Sequence, residues 1–352
     1  MGLPVALIVV PVSNLAGVAR HVLDLVRVGV PGWRIVVTCP EGPLVGKVAG
    51  VGGAVTVSDI GPDVRTDKAV RALRRVIDSV HPSVVHSHLA RADILAALAT
   101  IGRPVKLVST EHHISPDPLM FHSSKVTASV MQAVHHVRLR RFAALMAVSE
   151  STKRDMERCW KPREPVKVVR NGIDRPDVEP DRPAGLRLLS LARLSPEKNI
   201  AMTLRTFAIV HRDHPEARLT IAGEGPSRGE LEQLSRQLGV ATTVSFTGFI
   251  DPLEAMSEHD VIVQPSRSDN LSYTLLDAVA AGMGVVASPI GGNPEILPER
   301  CIAGLDDDEL FAAKIVEQGL RPSVRPTLPS SIPTVREMAE LVGHSYDRAV
   351  GR

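Results

Sequence analysis

The chain has 352 residues, with 41 Lys and Arg against 39 Asp and Glu and a formal net charge of +2. Near-neutral charge and only 3% aromatic residues argue against nucleic-acid binding, which needs a basic footprint and stacking rings. An apolar fraction of 44% is ordinary for a globular enzyme, and the length exceeds what one core usually holds, so two domains are expected.

The opening "MGLPVALIVVPVS" reads as a strand rather than a signal peptide. No apolar run approaches the ~18 residues of a spanning helix. The strand leads into "VPVSNLAGVARHV", where a small-residue turn holding Gly17 precedes a helix. Its free amides suit an anion, or it is an ordinary strand-to-helix turn. Further strands follow at "RIVVTCP", "SVVHSH", "KLVSTEH", "ALMAVS" and "VKVVRNG", with helical patterns such as "AVRALRRVIDSV" between them. Such alternation predicts α/β architecture, with a parallel sheet covered by helices on both faces. Within "KVTASVMQAVHHVRLRRF", apolar residues at 126, 130, 131, 134 and 137 form a helical stripe ending in His135, His136, Arg138, Arg140 and Arg141. That end reads as a solvated basic helix terminus, with peripheral contact to an anionic membrane or lipid diphosphate as the alternative.

Residues 174–185, "DRPDVEPDRPAG", read as a linker. The alternation then restarts with strands in "LRLLSLAR", "ARLTIAG", "TVSFTG", "DVIVQPS" and "GVVASP". In "LARLSPEKNI", Arg193 ends a strand and Lys198 follows a Ser-Pro-Glu helix start. The pair suits a diphosphate, or is simply a solvated basic pair. "AGEGPSRGELEQL" looks superficially like a dinucleotide fingerprint. Its glycine spacing has one residue too many, and no acid follows where the ribose would be held, so NAD binding is not expected. In "PSRSDNLSYTLLDAVAAG" two carboxylates, Asp269 and Asp277, have seven residues between them. The first is expected at a strand end and the second a little over two turns into the next helix. Asp306, Asp307 and Asp308 precede a helix and serve its cap and dipole, not a metal. A proline-rich passage, 321–333, delivers the chain to a last helix, "TVREMAELVGHSYDRAV". The three cysteines, Cys39, Cys159 and Cys301, are odd in number and far apart, which fits a reducing cytoplasm without a zinc or disulfide framework.

Taken in order, "LAGVARHV", "VVHSHLARADILAALA", "STEHH", "AVSEST", "VVRNGID", "ARLSPEKNI", "IAGEGP", "FTGFI" and "PSRSDNLSYTLLDAVAAGMGVVASPIGGNPEI" resemble the landmarks of the retaining family-4 glycosyltransferases of GT-B fold, over residues 5 to 350. The resemblance implies two Rossmann-like parallel-sheet domains facing across a cleft. These would be an acceptor-side domain at 1–176 and a nucleotide-sugar domain at 177–333, with a C-terminal helix, 334–352, returning to the first. It implies that Arg193 and Lys198 grip the donor diphosphate and that the Gly17 amides face it from the other domain. Gly223, Glu224 and Ile250 fall in donor-binding landmarks. His112 is implied near the transferred sugar, with His113 the neighbouring register. Asp269 and Asp277 occupy the family's E-x(7)-E positions, the first by the donor sugar and the second on the nucleotide ribose, while the amides of Asn270 and Leu271 reach a phosphate. This sequence departs from the family in carrying Asp at both positions and Ala16 in place of the first glycine of the turn.

The activity implied is metal-independent, configuration-retaining hexosyl transfer from a nucleotide-sugar co-substrate, UDP favoured over GDP. The acceptor would be a glycan, a lipid-linked sugar or a natural product, and no other cofactor is implied. Front-face attack is the favoured route over a covalent intermediate on Asp269. The rival readings are a sugar-nucleotide 2-epimerase of the same fold and a non-catalytic nucleotide- or glycan-binding relative. The expected location is cytoplasmic or at the inner membrane face; the oligomeric state is left open.

Overall fold

The structure, a computed structural model, describes residues 2–114, 125–177 and 182–352; the side chains of residues 125–130 also lie outside the description. Stripe positions 126 and 130, and residues 178–181 of the expected linker, therefore fall outside the described residues. The chain divides into two compact units, Met1–Gly172 with Pro333–Arg352, and Ile173–Ile332. The expected boundaries at 176/177 and 333/334 thus lie at Gly172/Ile173 and Ile332/Pro333. Described residues of the expected linker are fastened to the second unit. Arg175 donates to the carbonyls of Leu328, Pro329 and Ile332, and Arg182 to those of Met256 and His259.

The first unit holds a seven-stranded parallel sheet. Its strands are β1 (Val5–Val9), β2 (Arg34–Cys39), β3 (Ala54–Val57), β4 (Val84–His88), β5 (Lys106–Glu111), β6 (Phe142–Ala147) and β7 (Val166–Val168). They lie in the order β3-β2-β1-β4-β5-β6-β7. Alternate residues of β1 face opposite layers, as strand geometry requires. Ala6 and Ile8 join a core with Val22 and Leu25 of α1 (Gly17–Val28) and with the last helix of the chain. Leu7 and Val9 face Leu73 of α3 (Thr66–Val80), Leu95 of α4 (Ala90–Ala99) and Leu139 of α5 (Lys125–Leu139). Helices α2 (Pro43–Gly50) and α6 (Glu150–Trp160) complete the two layers. Strand β3 was not legible in the sequence. It is a four-residue sheet edge, partly exposed, and lies just after Gly52 and Gly53.

The second unit holds five parallel strands, β8 (Arg187–Leu191), β9 (Arg218–Ala222), β10 (Val244–Gly248), β11 (Val261–Gln264) and β12 (Gly284–Ala287), in the order β10-β9-β8-β11-β12. Its helices are α7 (Ile200–Asp213), α8 (Arg228–Gln237), α9 (Pro252–Glu258), α10 (Tyr273–Ala280), α11 (Asn293–Ile296) and α12 (Asp308–Leu320). Asp307 caps α12 through Leu310 N at 2.8 Å, and Asp308 pairs with Arg205 at 2.6 Å. The aspartate run therefore serves a helix start. The closing helix, α13 (Val335–Val350), carries a capping box: Thr334 N donates to Glu337 and Glu337 N to Thr334 Oγ1. It belongs to the first unit. Each sheet reverses its winding once, between β1 and β4 and between β8 and β11. Open α/β sheets bind ligands at such switch points, beyond the carboxyl ends of the strands.

Candidate active site

At the switch point of the second unit, the chain beyond β8 carries Arg193, exposed, and then a single 3-10 turn, Pro196–Lys198. The predicted helix start at Ser-Pro-Glu is thus only this turn; α7 begins at Ile200, after Asn199 in left-handed conformation. Lys198 Nζ donates to Asp269 Oδ2 at 2.9 Å, with the Lys side chain 24% exposed and the Asp 9%. Gln264, the last residue of β11, donates to the same oxygen at 2.9 Å. Asp269 Oδ1 accepts from the Asn270 amide at 3.0 Å. The carboxylate expected by the sugar and the ammonium expected on the diphosphate are therefore in direct contact.

The helix after Asp269 starts later than predicted. Ser272 is its N-cap, accepting from Leu275 N, and its hydroxyl donates to Gln264 Oε1 at 3.2 Å. Tyr273 opens α10, so Asp277 lies about one turn into the helix, not two. The serine cap, not the aspartate, decides the start. Asp277 is buried at 6% exposure and Leu271 is fully buried. Gly291, at φ +59°, lets its loop lie against this segment: a Cβ there would stand 2.3 Å from the Asp269 carbonyl oxygen.

The glycines after β9 serve close packing. A Cβ on Gly223 would lie 2.0 Å from Ala192 O, and one on Gly225 would lie 2.2 Å from Leu194 O. Leu194 N donates to Glu224 O at 2.9 Å and Gly223 N to Gly248 O at 2.8 Å. Gly223–Gly225 thereby brace the loop that presents Arg193. The exposed Glu224 side chain and the half-buried Ile250 lie on the neighbouring connections.

In the first unit, exposed Gly17 is the first residue of α1, behind extended Ala16, and no side chain caps that end. Around the carboxyl-terminal halves of β4 and β5, four buried histidines meet: His86 and His88 in β4, His112 just after β5 and His21 in α1. His88 Nδ1 and His112 Nε2 share a hydrogen bond at 2.9 Å. His86 spans Tyr346 of α13 and Thr110, each at 2.7 Å, and His21 of α1 bonds Asn171 at 3.0 Å. Burial drives all four toward the neutral form: His21 to about 4, against the opposing hydrogen bond of Asn171, His86 to about 3, and His88 and His112 well below the usual value, with neighbouring histidines adding to the effect at the last three. Among the described residues, buried His21 Nε2 and His88 Nε2 have no hydrogen-bond partner, each a cost of roughly 1–3 kcal/mol. Among the described residues, no group of three His, Cys, Asp or Glu is arranged to hold a metal.

The predicted basic end of α5 is not a solvated terminus at Arg138 and His135. Arg138 is 4% exposed and lies between Asp93 and Glu111, with its Nε on His135 and its guanidinium 4.8 Å over the Trp160 ring. One guanidinium faces two buried carboxyl groups. Burial accordingly pushes the Glu111 carboxyl up to about 8, and it accepts from Arg138. The helical stripe could not reveal this, because an arginine close to a helix terminus can turn inward or outward with equal periodicity. Arg140 and Arg141 are exposed, as is a basic helix end. The sequence did carry an unused signal for the histidines. His86 and His88 alternate in "VVHSH", which places both on one face of the strand. Gln264 carried one too, as a polar residue closing an otherwise apolar strand.

Two parallel-sheet α/β units, with cationic and carboxylate side chains at the switch point of one, define an open-sheet class that binds its ligands beyond the strand ends. The fold agrees: Anabaena HepE, solved in complex with UDP and glucose, superposes with a TM-score of 0.77 over 99% of this chain and 96% of its own, at 18% identity. Residues 15–175 match the model of Glycosyltransferase Family 4, and residues 185–318 that of Glycosyl transferases group 1. The chain belongs to the family-4 glycosyltransferases of GT-B fold. It is similar to the glycogen synthase of Mycobacterium tuberculosis, 31% identical over 237 residues that cover 62% of this chain and 54% of that protein. It is also similar to the alpha-monoglucosyldiacylglycerol synthase of Streptococcus pneumoniae, 30% identical over 179 residues, 46% of this chain and 38% of that one. The chain spans about half the length of the curated relatives it matches.

Proposed function

We propose that the protein transfers a hexosyl group from a nucleotide-diphosphate sugar to a glycan, lipid-linked or natural-product acceptor, with retention of the anomeric configuration. The observation that carries this reading is the Lys198–Asp269 contact at the switch point of the second unit, with exposed Arg193 on the adjoining loop. An ammonium has three donors, so Lys198 can hold Asp269 and still take a diphosphate oxygen. Arg193 offers a fork to the same group. As the diphosphate departs, these two cations meet the charge it gains, which assigns to side chains the task a metal would otherwise perform. Asp269 faces the opposite charge, the positive character that builds at the anomeric carbon. In front-face attack, a leaving-group oxygen takes the acceptor proton and no covalent intermediate on Asp269 is required.

Asp277 is assigned the ribose and the amides around Asn270 and Leu271 a phosphate. Gly17, Gly223, Glu224 and Ile250 are assigned to the donor on the family's pattern. His112, held neutral by burial, is assigned a hydrogen bond to the transferred sugar without adding charge. UDP is the favoured nucleotide, supported by the UDP and glucose held by the HepE structure. The names of the glycogen and diacylglycerol-lipid relatives support carbohydrate or lipid-linked acceptors.

The test is turnover with a panel of UDP- and GDP-sugars and these acceptor classes, with and without EDTA, and the product anomer read by NMR. Transfer that survives EDTA and gives a product with the donor's configuration is expected. A strict Mg²⁺ or Mn²⁺ requirement, or an inverted product, would contradict the reading.

A further inference from the structure

We infer that His88 is a positioning residue for His112, holding its ring by Nε2 so that Nδ1 is presented to the transferred sugar. The inference rests on the assignment of His112 to the sugar side and goes beyond it, since the resemblance, although "VVHSHLARADILAALA" spans His88, implies no role for that residue.

His112 follows the last residue of β5 and His88 ends β4, the neighbouring strand. Their contact, Nδ1 of His88 to Nε2 of His112 at 2.9 Å, is the side-chain hydrogen bond recorded for His112 among the described residues. Burial favours the neutral form of both rings, so one proton lies between the two nitrogens: held by His88 Nδ1 it leaves His112 protonated on Nδ1, and held by His112 Nε2 it leaves His112 Nδ1 a bare acceptor. The rings are also braced from the side. His21 stands edge-on to His112, with centroids 5.0 Å apart, and is itself tied to Asn171. His86 lies 4.3 Å from the His88 ring and is bonded at both ends, to Tyr346 and Thr110.

The stability ledger of His88 supports a role other than packing. Among the described residues its buried Nε2 has no hydrogen-bond partner, so a histidine here carries a desolvation cost that an apolar residue would avoid. What the histidine adds is the Nδ1 contact, and that contact ends on His112. An unpaired nitrogen and a single polar contact to a proposed site residue are what a positioning role requires.

Three variants separate the two nitrogens. His88→Asn places an amide where Nδ1 stood and keeps the bond to His112. His88→Gln fills the pocket but carries its polar end out toward the Nε2 position. His88→Leu removes both. The expected result is kcat within about threefold of wild type for Asn, and a drop of about tenfold or more for Gln and Leu, with donor KM and UDP affinity little changed. In a His112→Ala background, His88→Gln should add almost nothing, because the two act as a unit. Equal kcat in all three variants, high or low, overturns the inference. So does retention by Gln with loss by Asn. Thermal unfolding of each variant is read alongside, and if Leu fails to fold, the Asn and Gln pair still decides. Should His112→Ala itself leave kcat unchanged, the assignment of His112 fails. If His112→Ala loses rate and His88→Gln does not, the inference about His88 alone fails.

Discussion

Asp269 and Asp277 lie in one short stretch yet meet different surroundings, and their variants should differ accordingly. Asp269 shares its charge with Lys198 and is fixed by Gln264, whereas Asp277 is buried within α10. Asp269→Asn keeps the size and removes the charge that the proposed function sets beside the anomeric carbon. A fall in kcat of about 10²-fold is expected, roughly 2.7 kcal/mol of transition-state stabilisation. Donor KM should hold or fall, because Lys198 is then free for the diphosphate. Asp277→Ala should raise donor KM about tenfold, roughly 1.4 kcal/mol, with a smaller change in kcat, since a ribose contact serves ground and transition states alike. Steady-state kinetics with a productive donor checks both. Equal rises in KM at the two sites would show that their labour is not divided in this way.

At the scale of elements, the histidines tie α1, β4, the carboxyl end of β5 and α13 into one buried cluster, and the cluster should make the first unit acid-sensitive. Its histidines have folded values below the unfolded one, so above pH 7 they are neutral in both states. Below about 6.5 the unfolded chain takes protons that the folded chain refuses, down to about 4 for His21 and about 3 for His86. Each histidine then removes up to about 1.4 kcal/mol per pH unit as pH falls. Glu111 works the other way: raised to about 8, it gains stability as pH falls from 8 toward its unfolded value. One such group does not outweigh four. The melting temperature should change little between pH 8 and 7 and fall steeply between pH 6 and 5, as followed by circular dichroism. A flat profile to pH 5 would mean that the histidines are hydrated.

The same elements show what the sequence can and cannot tell. Buried strands such as "VALIVV" and "DVIVQPS" announce themselves as apolar runs, and Thr334 with Glu337 marks the start of α13. Short β3 at a sheet edge does not. Nor could spacing reveal that Arg138 turns inward to Asp93 and Glu111, or that Lys198 meets Asp269 across 71 residues. Those pairings are made by sheet order, which brings β11 beside β8, and no local pattern encodes it.

For the whole molecule, the chain completes its second unit and then returns, through Pro333, to finish the first with α13. The first unit therefore cannot close its core on Tyr346 until the chain beyond the second unit has been made. The proposed division places the donor diphosphate mostly on the second unit, with Gly17 the first unit's contribution, and this is the account's central claim. Titration calorimetry of UDP against wild type, Arg193→Ala, Lys198→Ala and His112→Ala tests it most directly. A charge-assisted contact contributes roughly 1.5–3 kcal/mol, so each cation variant should weaken binding about tenfold or more. His112→Ala should bind UDP as the wild type does. Wild-type affinity in both cation variants, or a collapse of affinity in His112→Ala, would contradict the account.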